Sequence, residues 1–231
     1  MEHREAHSPR LSDPSNLATV GEKVLVEEHR SRGYVHRVHL ALQIAYPRVA
    51  FICDNRGQGG ATSRDLAASA RALTGGSLFD LAVFGCGIND VWRAYQGRAA
   101  EAVSLEEYID HYTATLITLA TRARHVVCVS ETPFGPIVGT DTAAMNRDID
   151  CYNRAAARCA ENANASFVDV WQPFTETARA LACHGSGERP TLWSDGVHLS
   201  DLGVTLLAQQ VETHLLEHGI VEQLLADTPP A

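Results

Sequence analysis

The chain has 231 residues, 45% of them apolar, and a formal charge of −9. That is enough apolar material for one buried core without disulfides or metal, and acids scattered along the chain with no basic patch disfavour a polyanion such as nucleic acid as a partner. No apolar run reaches the roughly 18 residues of a membrane span, and the opening "MEHREAHSPRLSDPS" is polar where a signal peptide needs an apolar stretch. The expectation is a cytoplasmic protein without membrane insertion.

In chain order, residues 1–15 read as a poorly ordered N-terminal segment, 16–220 as a single domain, and 221–231, with its "DTPPA", as a C-terminal tail. Short apolar runs predict strands at "NLATV" (16–20), "RVAFICD" (48–54), "FDLAVFG" (79–85), "HVVCVS" (125–130) and "SFVDVW" (166–171). Amphipathic stretches between them predict helices near 33–45, 62–73, 104–123, 143–163 and 201–217. This alternation is the pattern of βα units in a mostly parallel sheet. The loops "DNRGQGGATS", "GCGINDVWRAYQGR" and "RPTLWSDGVHLSD" are rich in Gly, Asn, Asp and Trp. In an open α/β sheet, ligands bind beyond the carboxyl ends of the strands, so these loops converge on one crevice.

The six cysteines form no CxxC pair, and three lie in strand-like apolar runs, so a zinc site is not expected. Most of the eleven histidines, including His36 and His39 of "HRVH", read as solvated or structurally bonded. The GxGG-like run near Gly60 has neither dinucleotide spacing nor a GK[ST] ending, so a nucleotide is not expected.

Three features carry chemistry. In "DGVH", Asp195 and His198 are spaced so that a carboxylate can fix one imidazole nitrogen and leave the other free to take a proton. In "GCGIND", Asn89 stands at a strand's carboxyl end, where a side-chain amide can donate to a developing oxyanion. In "NRGQGG", Gly60 can offer a backbone N–H at the start of a helix. Alone, each is also ordinary turn chemistry.

Together, "NRGQGGATSRDL", "FGCGINDVWR", the "YN" of Tyr152 and Asn153, "FVDVW" and "LWSDGVHLSDLG" resemble the SGNH/GDSL hydrolase superfamily from Gly33 to the last helix. The resemblance implies a three-layer α/β/α fold, flavodoxin-like, with a central parallel sheet of about five strands, and cofactor-free cleavage of small-molecule esters. It places the family's oxyanion donors on Gly60 and Asn89 and its Asp and His on Asp195 and His198. The family's first block, Gly-Asp-Ser with a serine nucleophile, is Gly21-Glu22-Lys23 here, and Lys23 is the sole lysine of the chain. Ser12 and Ser15 lie in "RLSDPSN", where Pro14 and polar neighbours argue against the strand that holds a nucleophile.

Three classes of function follow. One is an esterase or acyl-transfer enzyme in which His198 activates water or an alcohol, with Lys23, Gly60 and Asn89 at the oxyanion. Another is a non-hydrolytic cyclase, isomerase or lyase on the same scaffold, with Lys23 polarising a carbonyl. The third is an inactive ligand-binding relative. The loops make Arg56, Asp90, Trp92, Arg93 and Trp193 candidates for substrate contact.

Overall fold

The computed structural model describes residues 33–73, 78–183 and 190–226. The expected first strand at 16–20, Lys23, Ser12 and Ser15 lie outside the described residues. The elements in order are α1 (Tyr34–Ala45), α2 (Ser63–Arg71), β1 (Phe79–Phe84), α3 (Ile88–Tyr95), a 3-10 turn (Ala99–Glu101), α4 (Leu105–Ala120), β2 (Ala123–Val129), α5 (Thr142–Asn162), β3 (Ser166–Val168), α6 (Trp171–Ala182), α7 (Asp201–Glu217) and α8 (Ile220–Ala226).

The described sheet is parallel, in the order β1-β2-β3. Alternation along a strand sends successive side chains to opposite faces, and this divides the core in two. Val126 and Cys128 of β2, with Phe84 of β1, pack under Leu66 of α2, Tyr108, Tyr112 and Leu116 of α4 and Ala155 of α5. Val127 and Val129 face the other way, onto Leu42 of α1, Phe174 of α6, and Leu207 and Val211 of α7. A sheet covered on both faces by helices is a three-layer α/β/α arrangement, as the alternating pattern predicts.

Helix starts are written locally. Thr62 and Asp65 close a capping box on α2, and Ser104 and Glu107 do the same for α4. Asp141 caps α5 by accepting from Ala144 N–H at 2.9 Å, and Ser200 caps α7 by accepting from Gly203 N–H at 3.2 Å.

The structure departs from the sequence expectations at several places. Residues 50–58 form no strand, and Ile52 is 95% exposed. Side chains of α1 supply the partners a ladder would have given: the Gln43 amide donates to Val49 C=O at 2.7 Å, and His39 Nε2 lies 3.1 Å from Phe51 C=O. The strand expected over 166–171 stops at Val168, because Asp169 Oδ1 accepts Trp171 N–H at 2.9 Å and turns the chain into α6. Helix α8 occupies part of the expected C-terminal tail, with Ile220 and Val221 buried in the second core cluster. Among the described residues, no helix is long and apolar enough to cross a membrane.

Candidate active site

The loop after β1 builds one wall. Gly85 passes so close to β2 that a Cβ would stand 2.9 Å from Val129 C=O, and Gly87 sits at φ +144°, closed to other residues. Tyr108 Oη donates to Cys86 C=O at 2.9 Å and pins this turn. Helix α3 starts directly after it, held from below by Ile88 and Val91 in a cluster with Phe134, Met145, Ile149 and Val197. The cluster turns Asn89, Trp92, Arg93 and Gln96, at positions i, i+3, i+4 and i+7, toward one cavity. Sequence patterning alone read this stretch as loop, so the helical face went unseen.

The second wall is the turn after residue 190. Ser194 N–H donates to His198 C=O at 2.8 Å, and Trp193 pairs with Leu199 in an antiparallel bridge. Gly196 at φ +88° lets the turn press against Gly135, whose N–H donates to Gly196 C=O at 2.8 Å. Within it, Asp195 Oδ2 meets His198 Nδ1 at 2.5 Å. Oδ1 of the same carboxylate accepts the backbone N–H groups of Val197 at 2.9 Å and His198 at 2.7 Å. Partial burial pushes the Asp195 carboxyl up, but the hydrogen bonds from His198 and Val197 outweigh it and hold the group below the usual carboxylate range. Asp195 therefore stays ionised and can hold a proton on Nδ1, an arrangement that leaves Nε2 turned away from the carboxylate.

The two walls enclose a cavity of about 250 Å³ lined by Gly59, Gly60, Asn89, Trp92, Arg93, Gln96, Arg98 and His198. Gly60, Asn89 and His198 thus share one site. The Trp92 and His198 rings stand nearly perpendicular, 6.1 Å between centroids. Asn89 is 2% exposed, and one of its amide hydrogens is used on Ala61 C=O at 2.7 Å. Gly59, Gln96 and Arg98 join the site without a sequence motif of their own; helical spacing from Asn89 is the one signal that reaches Gln96, and nothing local marks Arg98.

The other expected contact residues lie elsewhere. Arg56 pairs with Asp54 at 2.9 Å and sits over the Phe79 ring. Trp193 is 9% exposed and packs against Phe174 and Gly135. Asp90, 1% exposed, is not part of the cavity lining and receives the backbone N–H and hydroxyl of Ser63. Burial raises the Asp90 carboxyl from 3.8 to about 7, against the pull of the Ser63 hydrogen bonds.

A carboxylate-held imidazole that shares a cavity with Gly60 and Asn89, on a parallel α/β sheet covered on both faces, fits a hydrolase of the esterase type. The chain belongs to the GDSL-like lipase/acylhydrolase family, whose pattern matches residues 18–206. It is 34% identical over 179 residues to an acetylxylan esterase of Geobacillus stearothermophilus, covering 77% of this chain and 78% of that one. The crystal structure of Axe2, an acetylxylan esterase of that organism, superposes with a TM-score of 0.65 at 30% identity over 80% of each chain. LAE5, an α/β hydrolase from the metagenome of Lake Arreo, Spain, gives a TM-score of 0.68 at 26% identity over 87% and 86% of the two chains. Catalytic mutants of Axe2 carry alanine in place of a serine, an aspartate or a histidine, the last two three positions apart in that protein.

Proposed function

We propose that this protein cleaves or transfers small acyl groups, with acetyl esters of a carbohydrate alcohol as the substrate class, using His198 and Asp195 as general base and orienting carboxylate. One observation carries the reading: His198 binds Asp195 through Nδ1 and presents its ring at a cavity whose wall also holds Gly60 and Asn89. Support for the acyl class comes from the acetylxylan esterase relative and from the shared three-residue spacing of its catalytic aspartate and histidine.

In this mechanism His198 Nε2 takes a proton from water or an acceptor alcohol as the oxygen adds to the acyl carbonyl carbon. The resulting oxyanion is met by Gly60 N–H and the second amide hydrogen of Asn89, and the proton then passes from Nε2 to the departing alcohol. A direct attack, without a serine acyl-enzyme, is favoured by one fact: the sequence has Gly21-Glu22-Lys23 where the family has its serine block. Lys23 joins the proposal as an oxyanion partner on the motif alone. Trp92 offers a flat apolar face to the acyl or sugar portion.

The test uses 4-nitrophenyl acetate and acetylated xylooligosaccharides. His198→Ala is expected to lower turnover by about 10³-fold or more, and Asn89→Ala by about 10²-fold. Turnover indifferent to His198→Ala overturns His198 as the base, and no turnover of either ester by the parent protein overturns the esterase reading. Stoichiometric labelling of Ser12 or Ser15 by a fluorophosphonate overturns direct attack and leaves the esterase.

A further inference from the structure

The loop that carries Gly60 is gripped from a single helix. Asn89 Nδ2 donates to Ala61 C=O at 2.7 Å, Asp90 takes Ser63 N–H at 3.0 Å, and Arg93 Nη2 donates to Gly60 C=O at 2.6 Å. Residues 60, 61 and 63 are therefore all fixed by the two turns of α3. Gly60 itself is at φ +77°, and a Cβ there would lie 3.5 Å from Arg93 Nη2. No hydrogen bond among the described residues occupies its N–H, so what the grip leaves open is the group the reaction uses.

Arg93 is the member of this set that reaches the glycine. Its side chain is only 14% exposed, and Nη1 is 3.7 Å from Glu101 Oε2. Glu101 is in turn held by Arg98, whose Nε donates at 2.7 Å. The guanidinium thus spans from the Gly60 carbonyl to an anchored carboxylate. A planar fork can serve two partners in fixed directions, which an ammonium cannot. A bond from a cationic donor to a peptide carbonyl is among the stronger neutral-acceptor hydrogen bonds.

We propose that Arg93 is a positioning residue for the oxyanion site: by holding Gly60 C=O, next to the Ala61 and Ser63 bonds from the same helix, it fixes the C-terminal side of Gly60 and with it the place from which the Gly60 N–H projects, and it contributes through that loop rather than by touching the acyl group. The proposal rests on the acyl-ester reading given above. Because a displacement of about 1 Å at a reacting centre can cost about 10²-fold, the loss of this one bond is expected to appear in kcat.

The experiment compares Arg93→Ala and Arg93→Lys with the parent protein, with and without methylguanidinium. Two readouts are taken: the Gly60 amide resonance in ¹H–¹⁵N spectra, and kcat and KM on 4-nitrophenyl acetate. Arg93→Ala should shift the Gly60 resonance and lower kcat about 10- to 100-fold with KM changed less than about threefold, and methylguanidinium should restore both. Arg93→Lys should recover only part, and it carries the same comparison should the alanine variant fail to fold. An unmoved Gly60 resonance overturns the proposal, as does a loss carried by KM, or a fall in melting temperature without rescue. If the parent protein cleaves no ester, the acyl-ester reading falls, while the Gly60 resonance still decides whether Arg93 holds the loop.

Discussion

The Asp90 carboxylate reaches across 27 positions of sequence to receive both the backbone N–H and the hydroxyl of Ser63 at the first turn of α2. It does so at 1% exposure, and burial raises its pKa to about 7 from an ordinary 3.8. The folded state therefore holds a proton that the unfolded chain releases between those values. Stability from this group grows as pH falls from about 7 toward 4, with a full span of roughly 4 kcal/mol, and is absent at alkaline pH. Urea midpoints of the parent and Asp90→Asn should diverge on acidification, the parent gaining. A gap that stays constant from about pH 8 to pH 5 contradicts this.

His214 on α7 predicts the opposite trend. Its ring stacks on His218 with 4.1 Å between centroids, and its Nε2 is buried with no hydrogen-bond partner among the described residues. Burial, then the neighbouring His218 and His125, hold its pKa below 6.5, against a smaller pull from Glu217. The folded state resists protonation here, so stability is complete above the unfolded value and lost as pH drops through and below it. His214→Phe keeps the stack and removes the charge; it should lose less stability than the parent between about pH 7 and pH 5, by chemical denaturation.

Gly203 tests steric demand against helix propensity. Alanine at this position in α7 would gain about 1 kcal/mol of propensity. Its Cβ, however, would stand 2.1 Å from the backbone oxygen of Leu192, which already accepts Ser200 N–H at 2.9 Å. Overpacking against backbone costs about 1 to 3 kcal/mol and should win. Gly203→Ala is expected to lower the melting temperature and, because Leu192 leads directly into the Asp195 turn, to reduce esterase turnover as well. A stabilised variant would show that the segment yields freely.

Two asparagines on α5 hold the loop behind the site by the same device. Asn146 accepts Phe134 N–H at 2.7 Å and donates to Phe134 C=O at 3.0 Å; Asn153 does so with Glu131 at 2.8 and 2.9 Å. Each amide satisfies both backbone groups of one residue. Asn146→Ala strands two such groups at buried Phe134 and should cost about 2 to 4 kcal/mol in urea unfolding. Asn146→Asp should cost at least as much, since a carboxylate cannot donate to the carbonyl. A loss below about 0.5 kcal/mol would mean that solvent replaces the amide.

Local features were legible in the sequence and distant pairings were not. The Asp195–His198 contact spans three residues of one turn, and the capping residues Ser104 and Glu107 announce their helix within four positions. Helix α3 was hidden because Gly, Asn and Asp crowd its start, although the spacing of Asn89, Trp92, Arg93 and Gln96 is helical. Helix α6 was obscured by the apolar "FVDVW" that runs into it, and Pro173 is tolerated in its first turn. The contacts of Asp90 with Ser63 and Arg93 with Gly60 join residues about thirty positions apart, and no periodicity encodes them.

One carboxylate serves two structures at once in the Asp195 turn: Oδ1 closes the backbone of residues 195–198, and Oδ2 holds the imidazole ring. The ring is therefore aimed when the turn forms, before any ester arrives. Its swing is limited by how rarely that small loop of backbone opens, so little orientational freedom is left to be lost on binding. Any condition that opens the turn releases the imidazole in the same event, and recovery of the ring's orientation should keep pace with reclosure of the turn.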